Sequence, residues 1–582
     1  MTITSVEDTL LAAIALPLVA GPVAYVLDRV SRPARNWLVV LTLAANLALA
    51  LRLALAGVSR TYVVQVGDPA AGPLPVELSL SVGGAGGVSL TVVAFVCLAV
   101  GTFSTGYVQP GRFVGGYFAL LLLAAAALDA VLLAGDLVTL SAGLALLAAS
   151  LSGLVGLDFA RGAGGAAAKL LLMVGASASL AASAAWLILA RGGSVALDGL
   201  LARNTGALGA WLPVVAGLLL IALAIAAALP PGHTWLTSGS RHAVTPVVAL
   251  LAGGVLPAGL VVWLRVLAPA PGVASAWPAV ALLGGLSVAV GALGALRTPE
   301  FRLALAYQAL GQSGLAAVAL AEGTAEGRAI AIFQVVALAL FLPALILGVG
   351  AVLQVTKGDL LEGFPRLRAV QPGVAALALV GAASVAGVPP LPGYWSRVWL
   401  VEVLLRPGQH HLLLLAVVVL GTTLLTGSAF RLLSVEPAVG VPVPPRRRTA
   451  ALVPLAALAA VGALLPFVPP SLAFRVVGAA PAGAGVPSYL EVVAALLALA
   501  TLGAGAALRL GELDLLPPQA QAAFDGVAER LAFCGVAVAG VKKRVRPEWL
   551  DPYAVVGGLL ALAAWAAALV LDNTLGRLGR SG

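Results

Sequence analysis

Apolar residues run along this chain in blocks of about 20, the length that crosses a bilayer's hydrocarbon core as a helix. Short polar or Pro/Gly-bearing joints separate the blocks, and counting them predicts about sixteen spans. The seventh block (209–235) and the twelfth (371–404) are interrupted. The first interruption reads Leu229-Pro230-Pro231-Gly232-His233-Thr234-Trp235, and the second reads Val388-Pro389-Pro390-Leu391-Pro392-Gly393-Tyr394-Trp395. A proline pair removes two backbone donors and clashes with the preceding turn, so neither stretch can continue a lipid-facing helix. Non-helical backbone survives at membrane depth only where protein or a water-filled cavity satisfies it. Interrupted apolar segments at matching places in two halves point to the ion or substrate route of a transporter. Pro230, Pro231, Gly232, Pro389, Pro390 and Gly393 are therefore the expected breaks.

Two regions depart from the helical pattern. Period-two alternation in Tyr62-Val63-Val64-Gln65-Val66 and again in Val76-Glu77-Leu78-Ser79-Leu80-Ser81 predicts a small hairpin over the outer face. Residues 516–547 place Phe524, Val527, Leu531 and Val536 on one helical face and Asp525, Glu529, Arg530 and Lys542 on the other. That segment reads as an interfacial helix or as a solvated connector.

Composition agrees with the pattern. With 61% hydrophobic and 10% charged residues over 582 positions, the chain is an all-α polytopic membrane protein, since a soluble core could not absorb so much apolar surface. Cys97 and Cys534 stand far apart with no Cys/His cluster, so neither a disulfide framework nor a metal site is expected. The net charge of +9 is topological. About 22 of the 33 Lys and Arg fall in loops after odd-numbered spans, which by the positive-inside rule puts both termini on the non-cytoplasmic side of a prokaryotic inner membrane. Basic residues scattered without aromatic interleaving give no nucleic-acid footprint. The first span follows Glu7 and Asp8, lacks a basic leader, and is expected to be retained.

Few polar groups remain inside the blocks. Asp129, on the fourth span, is the most interior carboxylate, serving an ion path, pairing with a neighbouring helix or opening onto water. Asp136 borders the fifth span. His233 beside the first break could relay protons or satisfy freed carbonyls. Arg397 and Glu402 follow the second break, where they could form a buried ion pair or Glu402 could face another subunit. Lys169 and Arg265 sit at span ends, where snorkelling is expected. His410 and His411 read as interface residues.

These residues carry a resemblance. Pro231-Gly232-His233-Thr234-Trp235-Leu236, with Gly259 and Leu264-Arg265 downstream, resembles the P-F-H-x-W-L-P…K-x-G…L-R stretch of antiporter-like subunits. Such subunits are the proton-channel subunits of respiratory complex I, membrane-bound hydrogenases and multisubunit cation/proton antiporters. Pro299-Glu300-Phe301-Arg302 with Leu305-Ala306-Tyr307 is similar to that family's D-I-K-R-x-x-A-Y-S-S loop, and Gly387-Val388-Pro389-Pro390 with Gly393-Tyr394-Trp395-Ser396-Arg397 to its G-I-P-P-x-x-G-F-x-S-K. Ala168-Lys169 fits the start of its sixth helix. The resemblance implies N-terminal helices and a hairpin (1–84), two inverted five-helix repeats (85–270 and 271–435) with broken seventh and twelfth helices, and C-terminal helices with the amphipathic segment (436–582).

The departures from the family bear on function. Its pumping members carry buried ionisable side chains at positions matched here by Ala145, Ala226, Pro257 and, near the eleventh-span pair, Leu338 and Leu342; only the twelfth-span position stays charged, as Arg397. An arginine cannot release a proton in this setting. The resemblance implies a membrane subunit of a complex I-like or membrane-bound-hydrogenase-like energy-converting complex. It would take part in proton or Na+ translocation through a divergent path built on Asp129, His233, Arg397 and Glu402. Its partners would be other membrane subunits and the lipid bilayer. Two alternatives stand: a non-conducting structural subunit, or the membrane partner of an inorganic-carbon uptake or cation/proton antiporter complex. No GxGxxG, P-loop or Cys ligand set occurs, so no cofactor and no catalytic site are expected on this chain.

Overall fold

The computed structural model describes residues 6–56, 60–66, 76–82, 84–108, 113–157, 162–267, 277–356, 372–405 and 411–433, with a few positions between 454 and 462. The expected spans at 488–509 and 553–572, nearly all of that at 450–472, and the amphipathic segment 516–547 lie outside these residues.

Among the described residues, twelve helices are long and apolar enough to cross a membrane. They fall at the first eleven expected spans and the thirteenth. The expected twelfth is two shorter helices, so the described part accounts for thirteen of the sixteen expected spans.

The chain opens with α1 (Val6–Asp28) and α2 (Arg32–Leu55). Ser31 caps α2 by accepting from the Ala34 amide at 3.4 Å, with Pro33 in the first turn, where its missing donor costs nothing. Strands β1 (Arg60–Val66) and β2 (Val76–Val82) pair antiparallel with Tyr62 opposite Leu80. Helices α3 (Gly84–Tyr107), α4 (Val114–Leu133), α5 (Leu137–Gly156) and α6 (Ala163–Ala190) follow. The turn between α4 and α5 holds the hairpin: the Gly135 amide donates to Ser79 O at 2.7 Å, and the Leu137 and Leu197 amides extend the pairing to the segment after α6.

Past the short helices α7 (Leu200–Arg203) and α8 (Thr205–Leu208), α9 (Leu212–Ala226) runs into the first break, and α10 (Thr234–His242) leaves it. Helices α11 (Thr245–Leu250) and α12 (Leu256–Val266) are one span joined by a π-helical turn, Leu251–Val255, in which the Leu256 amide reaches back to Leu251 O. Pro257 explains the wider turn, because it has no N–H to continue the regular ladder. Gly253 in this turn faces Pro343 of α15 without a side chain of its own.

The second half contains α13 (Trp277–Arg297), α14 (Phe301–Ala321), α15 (Ala325–Thr356), α16 (Pro372–Ala386), α17 (Pro392–Leu404) and α18 (His411–Leu433). Burial marks the centre. The α11–α12 span and α14 are enclosed along their whole apolar window, whereas only a third of α1 and α2 is. Leu412, Leu413 and Leu420 on α18 and Leu171, Leu172 and Trp186 on α6 remain exposed, as expected of helices facing lipid or other subunits. Both broken helices therefore touch the interior of the bundle: α10 packs on α6 and α14, and α16 and α17 pack on α15 and α18.

Candidate functional site: two helix breaks bridged by α14

At the first break the chain leaves the helix after Ala226. Ala228 takes a positive φ of 52°, and the peptide between Pro230 and Pro231 is cis. The Leu229 amide turns back to Ala224 O at 2.7 Å. The break takes the Ile225 carbonyl's regular donor away, and that carbonyl accepts instead from the Ala228 amide at 3.0 Å and from the Trp235 indole N–H at 2.7 Å. Trp235 and His233 are fully buried, while Gly232 admits close approach of the Ile225 backbone. Ala226 and Pro257, the positions matched to family lysines, are buried among apolar neighbours; Ala145, matched to the family glutamate, is exposed.

The second break repeats the device with a charge. The Pro389–Pro390 peptide is cis, and Gly387 takes φ +83°. Buried Arg397, on the first turns of α17, donates through Nη1 to Ala386 O (2.6 Å) and Thr426 Oγ1 (2.8 Å), and through Nη2 to Val385 O (2.6 Å). These carbonyls end α16, where the helix dipole presents its negative pole, so a guanidinium is held there by charge as well as by hydrogen bonds. Glu402, the other candidate for pairing with Arg397, is not among these partners. Five residues on a helix lie roughly 140° apart around the axis. Glu402 is itself buried on α17.

Sequence reasoning missed the polar side chains of α14 that reach the second break. Gln308 and Gln312 lie one turn apart on the enclosed helix α14. Gln312 Nε2 donates to Val385 O at 3.1 Å, the carbonyl that also accepts from Arg397. Gln334 Nε2 on α15 donates to Gln312 Oε1 at 2.7 Å, and Gln308 Nε2 donates to Leu425 O at 2.7 Å and to Ser428 Oγ of α18. Ser313 Oγ, beside Gln312, and Ser240 Oγ, on α10, are buried without a hydrogen-bond partner. Three glutamines in apolar blocks were the available signal, since each buried amide needs partners.

Other polar residues have structural duties. Lys169 donates to Ser238 Oγ of α10 at 3.2 Å. Arg265, in the last turn of α12, donates to Asp198 Oδ1 (3.0 Å), Leu132 O (3.2 Å) and Ser81 Oγ (2.7 Å), tying α12 to α4 and the hairpin. Asp136 caps α5, accepting from the Val138 and Thr139 amides at 2.8 and 2.7 Å and from both the amide and hydroxyl of Ser79. Asp129 lies away from both sets of break contacts, accepting at Oδ2 from Asn46 Nδ2 of α2 at 2.8 Å. Among the described residues no three His, Cys, Asp or Glu side chains gather as a metal site. His410 and Cys534 lie outside the described residues.

A bundle with two buried helix interruptions, each sealed by a side-chain donor, and a central polar helix that bonds to the second and packs on the helix leaving the first, defines a transporter-type membrane subunit. This chain belongs to the family described as NADH:quinone oxidoreductase/Mrp antiporter, transmembrane, whose model matches residues 134–426. It is 35% identical over 207 residues to NADH-quinone oxidoreductase subunit 14 of Thermus thermophilus, covering 35% of this chain and 44% of that protein. To subunit N of Geotalea uraniireducens it is 31% identical over 312 residues, 52% of this chain and 65% of that one. The chain thus spans less than two thirds of these curated relatives. Among solved structures, the Mrp complex from Dietzia sp. DQ12-45-1b is similar with a TM-score of 0.73 and 26% identity, over 97% of this chain and 63% of that chain. An archaeal membrane-bound sulfane sulfur reductase shares the fold, with a TM-score of 0.73 at 21% identity over 85% of this chain and 99% of that one.

Proposed function

We propose that this chain is a membrane subunit of a multisubunit energy-converting complex of the complex I or Mrp kind, and that it takes part in moving protons or Na+ by a path different from its relatives'. The observation that carries this is the polar connection between the breaks. His233 ends the first break and Ser240 lies on α10 beyond it, α10 rests on α14, and Gln312 of α14 shares Val385 O with Arg397 at the second. Buried polar side chains in a membrane bundle are costly, and they concentrate along ion pathways. Glutamines can order water and pass hydrogen bonds along, though they hold no proton themselves.

On this reading the fold is completed to sixteen spans, with inverted five-helix repeats at 85–270 and 271–435, both termini non-cytoplasmic in a prokaryotic inner membrane. The neighbours are other membrane subunits and lipid.

A second reading is favoured by one observation. Arg397 is fixed on two carbonyls and a threonine hydroxyl, and the matched relay positions are Ala, Pro and Leu, so the chain could brace such a complex, or an inorganic-carbon uptake or antiporter assembly, and conduct nothing. The test is ion uptake into proteoliposomes carrying the intact complex, with Gln312→Leu and Gln334→Leu as variants. Uptake reduced by both supports the path, while the absence of uptake from every form, at full assembly, supports the brace.

A further inference from the structure

Asp129 is 1% exposed and Asn46 is 1% exposed, and each lies inside an apolar helix of the membrane bundle. The carboxylate makes no ion pair among the described residues; its side-chain partner is the Asn46 amide at 2.8 Å. Asn46 Oδ1 has no partner, although it is buried. We propose that Asp129 and Asn46 form a proton-binding site between α2 and α4, apart from the broken helices, in which the amide serves both states of the acid.

The chemistry follows from the two ends of one amide. As built, Asn46 Nδ2 donates to a charged carboxylate. Turned by half a rotation, Oδ1 takes the same place and accepts from the O–H of a protonated Asp129. An ionised carboxylate at this depth has one donor and no cation, an expensive condition in hydrocarbon, whereas the acid needs only the acceptor that Asn46 otherwise leaves unused. A plain helix–helix clamp would be met as well by two amides.

Among the described residues the surroundings supply no counter-charge to replace the proton. On α3 the nearest titratable group is the Cys97 thiol, which interacts with Asp129. On α12, Arg265 is committed to Leu132 O, Ser81 and Asp198. On α5 the acid Asp136 is committed to its cap. On α1, which runs antiparallel to α4 with Asp28 beside Gly115, the acids Glu7 and Asp8 stand in the first turn. On α2, Arg52 lies six residues beyond Asn46.

The inference does not depend on conduction by this chain, because an acid can hold a proton in a subunit that moves none. The decisive measurement is infrared difference spectroscopy of the intact chain in lipid, H2O against D2O. It should show a protonated-carboxyl band in the parent that is lost in Asp129→Asn and moved in Asn46→Leu. In parallel, dicyclohexylcarbodiimide adds to a carboxylic acid with its proton passing to nitrogen and no atom lost, so mass spectrometry of the parent alone should find the adduct on Asp129, declining as pH rises. Identical carboxyl bands in parent and Asp129→Asn overturn the proposal. Should that variant fail to fold, a parent lacking the adduct at every pH overturns it. Ion uptake measured on the same preparation judges the proposed function separately.

Discussion

Arg397 is best understood as the cap of α16. Removing it in Arg397→Ala withdraws charged donors from Val385 O and Ala386 O, and a buried acceptor left short costs about 1–3 kcal/mol. Thr426 and Gln312 still reach one carbonyl each, so the loss should fall on the order of 3 kcal/mol and not more. Denaturant unfolding in detergent micelles should register it as a lower midpoint. Arg397→Lys keeps the charge but not the fork that spans three acceptors, and should fall between the two. A variant as stable as the parent would make the motif match a relic. The converse substitutions carry a different expectation. Ala226→Lys or Pro257→Lys places a lone cation in an apolar setting, with Ala145 unable to answer it, so neither alone should raise ion uptake above the parent.

The breaks were legible in the sequence as elements, and the reason is local. Adjacent prolines strip donors from the backbone whatever surrounds them, so the breaks at Pro230–Pro231 and Pro389–Pro390 could be placed without knowing a single contact, whereas Gly393, expected in the second break, falls in the first turn of α17. Asp136 was legible as the border of α5 for the same reason. The glutamine file was not, because Gln308 and Gln312 sit in an ordinary helical period and their meaning depends on Gln334 and Val385, brought near only by packing. The ties of Arg265 were not legible either, because its partners come from α4, the hairpin and the Asp198 loop. That tie gives a prediction: in Arg265→Ala, hydrogen exchange at Leu78–Val82 should quicken while exchange in α14 stays as in the parent. The second break gives another. Gly387 holds φ +83° with Arg397 packed over it, so Gly387→Ala should cost at least about 1 kcal/mol in the same unfolding assay, from backbone conformation before any collision is counted.

At the scale of the whole molecule, the described bundle is enclosed at α11–α12, α14 and α15 and open at α1, α2, α6 and α18. Exposed Leu172, Leu412 and Leu413 suit contact with lipid and with other helices. Gentle extraction followed by mass spectrometry should therefore recover companion membrane subunits; a monodisperse, active monomer would contradict the assembly. The central claim is that ions move by way of the polar link between the breaks, and the most direct test is proton and Na+ uptake by proteoliposomes holding the intact complex, comparing the parent with His233→Leu and Gln312→Leu variants that assemble normally. The account predicts uptake in the parent that falls severalfold in both variants. Uptake by both variants equal to the parent's would contradict it.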